Sequence, residues 1–571
     1  MVRGSGQSAA ASCSIPTRGL RPEPRLRSAL AGQPVCRVRN LTRWRPRQPH
    51  PASGTSNAAA ASGPASRPAP RFLHGIQAAR ASSIPPVPIE ARSPGRTRHW
   101  VSIYEHRIGS SEQAERIFGD DVVKEYWCSV EMSECGRFAV LYKWDFVHAN
   151  AVHLLRLSDR AMIPVVPEVQ ALHRVQVIDD SILILTDRDA PRGRLWIARL
   201  DAPTEWRALI PEGDDVLQSV NGIGGRLYAV YSHNASHQIR VFARDGTHLR
   251  DVPLPSIGSV NRNDGEGVVS GVSGSWRGEE VRVSFMSFAQ PPSIYRYDFD
   301  SDQLHPIAVP STGIDLSDVV TEQVWVDAPD GTKVSMFLVH RGDATPDGKR
   351  LVRLSGYGGF NIAIEPRYGP VHAAWLALGG LLAFVNVRGG GEYGRAWHEA
   401  ATKTKKRLSF TDFIAAARWL VSAGWTTPDR IAARGNSNGG LLVAASANLA
   451  PDAFGAVFSR APILDMLRFP RFGQLSAAVI EYGSPDDPVE GPYLAAYSPY
   501  HAIRSDARYP VMAFVSALND QVAPPHDPLK VVAKPAVGLR VWRPLLLKVP
   551  LRGSGPCRRD HGVDAGGAGS G

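Results

Sequence analysis

A serine between two glycines stands where an apolar run gives way to a helix-like segment. The pentapeptide G-x-S-x-G runs from Gly435 to Gly439, with Ser437 at its centre and apolar residues on both sides. At the tip of a strand-to-helix turn, a serine projects its hydroxyl clear of the backbone, and glycines admit the turn because a Cβ would collide there. The first N–H groups of the helix face the position where an oxyanion would develop. The stretch therefore predicts Ser437 as a nucleophile and the backbone N–H of Asn438 as an oxyanion donor.

Plain Gly/Ser loops also contain this pentapeptide, but the strand–turn–helix context favours the nucleophile elbow of α/β-hydrolases. A serine hydroxyl is a weak nucleophile and needs a base that a carboxylate holds in place. In α/β-hydrolases the chain order is serine, acid, histidine. Asp520 follows the apolar run Val511–Ser516 and is the predicted acid. The alternative for Asp520 is an ordinary turn aspartate.

Three blocks of sequence together resemble the prolyl oligopeptidase family. They are the elbow with Asp412, Ala416 and Leu420 upstream of it, the run Gly356–Ile362, and the run Asn386–Gly394 with Trp397 and His398. The resemblance runs in order from about residue 100 to about residue 550. It implies a serine peptidase that cleaves short peptides through an acyl-enzyme, built from an α/β-hydrolase domain and an all-β propeller.

The resemblance assigns further residues of the site. It implies that the hydroxyl of Tyr357 is the second oxyanion donor, and that Phe360 and Tyr482 line the pocket for the substrate's proline. Where relatives carry a stacking tryptophan, this chain has Ala478. The loss of that flat ring weakens selectivity for proline, because aromatic stacking adds about 1 kcal/mol beyond area burial.

The catalytic base is the least regular part of the pattern. The family's histidine follows the last strand closely, which here is predicted at 544–549. The downstream histidine in this chain is His561, several residues later, so either it reaches the site on a longer loop or the tail carries no working base. Gln521 stands where relatives have an arginine that holds the substrate backbone. We expect His398 and His526 to be structural.

The elements that must position these residues fall into three segments. Residues 1–98 are rich in Ala, Ser, Pro and Arg and are predicted to be disordered, with a transit peptide or non-native coding sequence as alternatives. Residues 99–320 show short β-rich runs broken by turns, which the resemblance identifies as a propeller, incomplete at four to five blades of ~45 residues. Residues 321–571 alternate short apolar strands with helical segments such as 410–423 and 439–449, typical of a largely parallel sheet.

Composition excludes several classes of function. The net charge of +11 comes from residues 1–99, which hold 16 arginines and two glutamates, whereas the remainder has 49 basic and 52 acidic residues. Nucleic acid is therefore a poor partner. Five scattered cysteines fit a reducing compartment, and the sequence has no apolar run long enough to span a membrane. We expect a cytoplasmic monomer without metal or cofactor.

One rival motif is a dinucleotide fingerprint. The run Gly389–Gly394 matches G-x-G-x-x-G after a strand, and Asp412 lies 18 residues beyond it. The polar Glu392 inside the turn and Arg395 at the start of the helix argue against a dinucleotide site, because the helix could not pack closely against the strand.

The main hypothesis is a serine oligopeptidase, including post-proline cleavage. The alternatives are a catalytically impaired propeller–hydrolase scaffold, indicated by the position of His561, and an esterase or acylaminoacyl-peptidase-like hydrolase, indicated by Ala478.

Overall fold

The computed structural model describes residues 74–79, 102–107, 113–119, 126–145, 149–260, 262–263, 268–472, 475–520, 522–534 and 545–549. All of them belong to one compact unit. Within the segment 1–98, which was predicted to be disordered, the described residues His74–Ala79 instead form a strand, because their backbone pairs antiparallel with Ser102–Arg107. The rest of that segment, Gln521 and His561 lie outside the described residues.

The strands up to residue 308 are, in chain order, β1 (His74–Ala79), β2 (Ser102–Arg107), β3 (Glu115–Phe118), β4 (Tyr126–Met132), β5 (Phe138–Asp145), β6 (Asn150–Arg156), β7 (Met162–Val166), β8 (His173–Ile178), β9 (Ser181–Thr186), β10 (Arg194–Arg199), β11 (Ala202–Ile210), β12 (Val216–Ile223), β13 (Arg226–His233), β14 (Ser236–Phe242), β15 (His248–Asp251), β16 (Arg262–Asn263), β17 (Val268–Val269), β18 (Val272–Ser273), β19 (Val281–Phe285), β20 (Ser293–Asp298) and β21 (Gln303–Ala308).

Four antiparallel sheets of four strands make up most of this region. They are β4–β7, β8–β11, β12–β15 and β18–β21, each with its strands in sequence order, and a three-stranded sheet β1–β3 precedes them. Buried residues of each four-stranded sheet share a hydrophobic core with those of the next: one core contains Val140 and Val177, a second Leu183 and Leu227, and a third Tyr228 and Val283. Sequential sheets that share a core only with their neighbours are the blades of a propeller.

The short β-rich runs predicted for this region are confirmed as strands, and the four described sheets of four strands agree with the predicted four to five blades. The prediction missed strands such as β11 and β21. Neither alternates between buried and exposed side chains, and β21 is exposed at all but one position, so their sequences lack the apolar period of a half-buried strand. The domain boundary at residue 320 stays a prediction: β21 ends at Ala308, and the next sheet begins at Val319.

The rest of the described chain forms one mixed sheet with helices. Its strands are β22 (Val319–Asp327), β23 (Lys333–Arg341), β24 (Val352–Ser355), β25 (Leu381–Val385), β26 (Ile431–Asn436), β27 (Ala456–Arg460), β28 (Val511–Val515) and β29 (Leu545–Lys548). The helices are α1 (Pro370–Ala377), α2 (Arg395–Glu399), α3 (Arg407–Ser422), α4 (Asn438–Leu449), α5 (Val479–Tyr482), α6 (Glu490–Tyr497) and α7 (His526–Ala533).

The order of strands in this sheet determines where a site can form. The order is β22, β23, β25, β24, β26, β27, β28, β29, antiparallel over the first three and parallel from β25 onwards. The chain passes from β24 to β25 on one side of β24 and then crosses back to β26 on its other side. The order of connections therefore reverses between β24 and β26. Ligands bind at such a switch point, outside the carboxyl ends of the strands.

Helices α3 and α4 cover one face of the sheet. Buried side chains of α3 such as Phe413 and of α4 such as Leu442 join Leu354, Ala433 and Val457 of the strands in the largest core. Both helices were predicted within three residues of their ends. The short helices α1, α6 and α7 were missed. None of the helices in the described part of the chain combines the length and apolar composition that a membrane crossing requires.

Candidate active site

The turn between β26 and α4 has the strained backbone of a nucleophile elbow. Ser437 adopts φ 55° and ψ −121°, a conformation that costs a non-glycine residue about 1–3 kcal/mol. A Cβ on Gly435 would collide with the carbonyl of Gly439, so only glycine fits there. The N–H of Ser437 donates to the carbonyl of Arg460 over 2.9 Å, which ties the turn to β27. The Ser437 side chain remains partly exposed.

Tyr357 reaches Ser437 because their strands are neighbours. The loop that begins at Gly356 leaves β24, which pairs in parallel with β26, and it brings the side chain of Tyr357 close enough to Ser437 for the serine to affect the pKa of the phenol. Burial raises the pKa of Tyr357 well above its usual value of 10, although the nearby Ser437 side chain opposes the shift. The phenol therefore keeps its proton at neutral pH. It is suited to donate a hydrogen bond to an oxyanion and unsuited to act as the base for Ser437.

The side chain of Asn438 joins the elbow to the loop of Tyr357. It is 1% exposed, its Nδ2 donates to the carbonyl of Tyr357 over 2.6 Å, and its Oδ1 accepts from the hydroxyl of Tyr482 over 2.9 Å. The backbone N–H of Asn438 opens α4, and the first N–H groups of a helix have no partner inside the helix. The two predicted oxyanion donors thus lie on segments that one buried amide holds together.

The two predicted pocket residues are in contact with each other. The rings of Phe360 and Tyr482 meet edge to face with centroids 5.4 Å apart, and Phe469 approaches Tyr482 in the same way at 5.3 Å. Phe360 is 7% exposed, Tyr482 only 1%, and Ala478 is fully buried in the same hydrophobic core. Because the hydroxyl of Tyr482 bonds Asn438, this residue supports the elbow. Contact of Phe360 or Tyr482 with substrate stays a prediction.

A buried ionic cluster under the Tyr357 loop was not predicted. The Lys406 ammonium donates to the carbonyl of Gly358 over 2.8 Å and to Glu481 over 2.6 Å, and the other carboxylate oxygen of Glu481 lies 2.8 Å from Nε2 of His398. Burial alone would raise the pKa of Glu481, but the charge of Lys406 and the bond to His398 outweigh it and hold the pKa at about 2. The partners are 75 and 83 residues apart, so local spacing carries no signal of the cluster.

The predicted acid follows β28, as the sequence indicates. Oδ1 of Asp520 accepts hydrogen bonds from the backbone N–H groups of Val522 over 3.0 Å and of Ala523 over 2.9 Å. These bonds are those of a turn aspartate, and its role as the acid stays a prediction. Within the described ranges no histidine hydrogen-bonds Ser437, and His561 lies outside them, so the identity of the base also stays a prediction.

The other two histidines have structural contacts. His398 is 3% exposed and belongs to the Glu481 cluster. The ring of His526 lies 4.0 Å from that of Phe472, and its Nε2 is 3.1 Å from Oδ1 of Asp527. These contacts fit the structural roles that we expected for both residues.

The residue that follows the rival dinucleotide motif, Arg395, bonds the mixed-sheet domain to the propeller. The N–H of Arg395 donates to the carbonyl of Pro191 over 2.8 Å, and its guanidinium donates to Asp187 of the second blade over 2.9 and 3.0 Å. Asp412, the proposed ribose ligand, is fully buried and accepts from Arg388 over 2.6 Å. A cavity of about 220 Å³ lies at this junction, between Asp187 and residues of the mixed-sheet domain.

Comparisons with known proteins bear on both domains. The family model described as "Prolyl oligopeptidase family" matches residues 367–536, and the model "Prolyl oligopeptidase, N-terminal beta-propeller domain" matches residues 91–310. The prolyl endopeptidase of Elizabethkingia miricola is 33% identical over 434 residues, which are 74% of this chain and 60% of that protein. A prolyl oligopeptidase of Omphalotus olearius is 32% identical over 444 residues, 74% of this chain and 58% of that protein. The chain thus spans about 60% of the length of these curated relatives.

Solved structures agree in fold over both domains. A prolyl endopeptidase structure, from a study of two such enzymes, superposes with a TM-score of 0.76 at 32% identity, over 83% of this chain and 69% of that one. Prolyl oligopeptidase B from Galerina marginata, bound to a 35mer hydrolysis and macrocyclization substrate, gives a TM-score of 0.76 at 26% identity, over 84% of this chain and 67% of that one. With its propeller blades, its hydrolase sheet and a strained serine elbow, the chain belongs to the prolyl oligopeptidase family.

Proposed function

We propose that this chain is a serine-type oligopeptidase that hydrolyses short peptides through an acyl-enzyme on Ser437, with post-proline bonds among its substrates. The observation that carries the proposal is the strained Ser437 with the protonated hydroxyl of Tyr357 close to it. A hydroxyl on a strained turn is accessible for attack, and a phenol and a helix N–H beside it are suited to stabilise the oxyanion of a tetrahedral intermediate. Membership of a peptidase family supports the same chemistry.

In this mechanism Ser437 attacks the scissile carbonyl while His561 takes its proton and Asp520 orients the histidine. The N–H of Asn438 and the hydroxyl of Tyr357 bind the oxyanion. His561 then protonates the leaving amine, and a water molecule activated by the same base releases the peptide acid. Phe360 and Tyr482 line the pocket for the residue before the scissile bond. The propeller, joined to the hydrolase sheet through Asp187 and Arg395, restricts the site to short peptides.

Labelling with a fluorophosphonate probe tests the proposal. The unmodified chain is expected to label, and Ser437→Ala to abolish labelling. Tyr357→Phe is expected to slow it by roughly 10²–10³-fold, the effect of removing one oxyanion donor. His561→Ala is expected to abolish it, and His526→Ala is the matched control that keeps it. A folded sample that does not label would contradict the enzyme proposal.

A second candidate is a catalytically impaired scaffold. It is favoured by Asp520, whose carboxylate bonds its own turn, and by the late position of His561. For a scaffold, a peptide substrate would bind without being cleaved. Mass spectrometry of the incubated peptide separates the two candidates, because only the enzyme yields fragments.

A third candidate, an esterase or acylaminoacyl-peptidase-like hydrolase, is favoured by Ala478, which is buried in the same core as Phe360. A panel of p-nitrophenyl esters, proline peptides and acylated non-proline peptides tests it. Faster cleavage of proline peptides than of esters would support the oligopeptidase.

We also propose that the chain acts as a monomer in the cytoplasm, with no membrane or nucleic acid as partner. The sparse cysteines and the near-neutral charge of residues 100–571 support this. Light scattering during gel filtration tests the monomer, and fractionation of cells tests the compartment.

A further inference from the structure

Two buried side chains hold the loop of Tyr357 at successive carbonyls. Nδ2 of Asn438 donates to the carbonyl of Tyr357 over 2.6 Å, and Nζ of Lys406 donates to the carbonyl of Gly358 over 2.8 Å. These carbonyls belong to the two peptide groups that follow the Cα of Tyr357. Because a peptide group is planar, fixing both of them leaves the backbone beside the phenol little freedom to rotate.

Lys406 is fully buried and has a counter-charge beside it. Besides the carbonyl of Gly358, its ammonium donates to Oε1 of Glu481 over 2.6 Å, and Nζ lies 5.4 Å from the centroid of the Tyr482 ring. Burial opposes the charged form of Glu481, but Lys406 and His398 hold the pKa of this carboxyl at about 2. The carboxylate therefore balances the ammonium at neutral pH and fixes its position under the loop.

A second hydroxyl near the Gly358 carbonyl does not replace Lys406. The hydroxyl of Ser409 lies 3.4 Å from that oxygen, but it also lies 2.6 Å from the carbonyl of Arg388. A hydroxyl has one proton to donate, and the shorter contact takes it. A charged donor such as the Lys406 ammonium also forms a bond roughly twice as strong as a neutral one. Lys406 is therefore the closer and the stronger of the two donors.

Glycines in the loop admit both donors to the backbone. A Cβ on Gly359 would lie 2.5 Å from Nδ2 of Asn438 and 3.0 Å from Nζ of Lys406. Gly358 has a φ of 64°, and a Cβ there would lie 2.5 Å from the side chain of Val387. The amide and the ammonium thus occupy the space that a side chain at position 359 would need, so the loop and its two donors fit together closely.

Stability alone does not explain a lysine and a glutamate at this depth, because apolar side chains of similar volume often stabilise a core as well as a buried ion pair does. An oxyanion donor must be fixed before the charge develops, and a displacement of about 1 Å can cost roughly 10²-fold in rate. We propose that Lys406, neutralised by Glu481, is a positioning residue that fixes the hydroxyl of Tyr357 for the oxyanion. This role rests on the proposed reaction at Ser437.

The rate of fluorophosphonate labelling of the full chain tests the proposal through a double-mutant cycle. The variant Lys406→Met/Glu481→Gln removes both charges of the pair, so neither stays buried without a counter-charge. We expect it to label at least tenfold more slowly than the unmodified chain. In a chain that also carries Tyr357→Phe, the same two substitutions should slow labelling by less than about twofold further, because the hydroxyl that Lys406 positions is gone.

Rates are compared well below the unfolding midpoint of each variant, so that a loss of stability does not slow labelling. Lys406→Gln/Glu481→Gln, whose two neutral amides can bond each other, carries the same expectation if the first variant does not fold. The exposed Lys405→Met is the matched control and should label at the unmodified rate. An unchanged rate for the pair variant, or equal slowing with and without the Tyr357 hydroxyl, would overturn the positioning role and leave the reaction at Ser437 standing. An unmodified chain that does not label would contradict that reaction, and the positioning role with it.

Discussion

The side-chain amide of Asn438 donates to the main-chain carbonyl of Tyr357 over 2.6 Å. One residue follows the nucleophile candidate and the other lies in the loop after β24, so this bond sets the distance between the elbow and the phenol. The same amide accepts from Tyr482, which makes Asn438 the residue through which the pocket wall and the oxyanion loop are coupled.

Asn438→Ala should therefore impair both stability and reactivity. It removes two buried hydrogen bonds, and we expect a loss of about 1–3 kcal/mol in the free energy of unfolding, because the carbonyl of Tyr357 and the hydroxyl of Tyr482 lose their partners. We also expect fluorophosphonate labelling to slow at least tenfold as Tyr357 moves. Tyr482→Phe, which removes only one of the bonds, is the control and should keep the labelling rate. Equal rates for Asn438→Ala and the unmodified chain would contradict the coupling.

Gly435→Ala should disrupt the elbow, because a Cβ would collide with the carbonyl of Gly439. We expect a loss of about 1–3 kcal/mol of stability from overpacking, with loss of labelling. Gly213→Ala is the matched control, since nothing lies within 4 Å of its added methyl. Urea unfolding of both variants measures the difference. Similar midpoints for the two would argue against a close-packed turn.

Replacing Ser437 itself separates strain from chemistry. At φ 55° and ψ −121° a glycine is not strained, whereas alanine is. Ser437→Gly should be more stable than Ser437→Ala by about 1 kcal/mol, and neither should label. Thermal unfolding of the two variants tests this. An alanine variant at least as stable as the glycine variant would show that the turn relaxes when the serine is removed.

Glu481 should make stability depend on pH in the acid range. Its folded-state pKa of about 2 lies below its ordinary value of 4.5, so the stability it contributes is present above pH 4.5 and is lost as the pH falls toward 2. Glu481→Gln leaves Lys406 buried without a counter-charge and should cost about 3–5 kcal/mol at pH 7. The difference from the unmodified chain should shrink between pH 4.5 and pH 2. Denaturant unfolding across this range checks it, with the exposed Glu399→Gln as control. A difference that is constant with pH would refute the assignment.

A conservative substitution of Asp520 separates a catalytic role of its negative charge from its role in holding the turn. Asp520→Asn keeps an oxygen that accepts from Val522 and Ala523, so we expect little change in stability. If Asp520 orients the base, kcat should fall by roughly 10⁴-fold, the effect of removing a triad acid. Asp506→Asn is the exposed control. Full activity of Asp520→Asn would limit Asp520 to its turn.

The sequence by itself determined the elements with local signals. The elbow is readable because Gly435, Ser437 and Gly439 lie within five residues of one another, and blade strands such as β5 and β9 are readable because they are short apolar runs. Strands with mostly exposed side chains, such as β21, carry no such signal, and α7 is only eight residues long, too short for its apolar side to be told from a loop. The family resemblance gave the fold and the place of Tyr357 in it.

Tertiary structure decided which distant residues meet. The bond between Asn438 and Tyr357 depends on the strand order that places β24 beside β26, and the Lys406–Glu481–His398 cluster depends on the packing of three separate segments. A charged side chain looks the same in sequence whether it is solvated or buried. Only the fold sets its burial and its partners. The fold therefore sets its electrostatic energy, because that energy depends on the distance and the medium between charges. In this site the fold brings together groups that are 75 or more residues apart in the sequence.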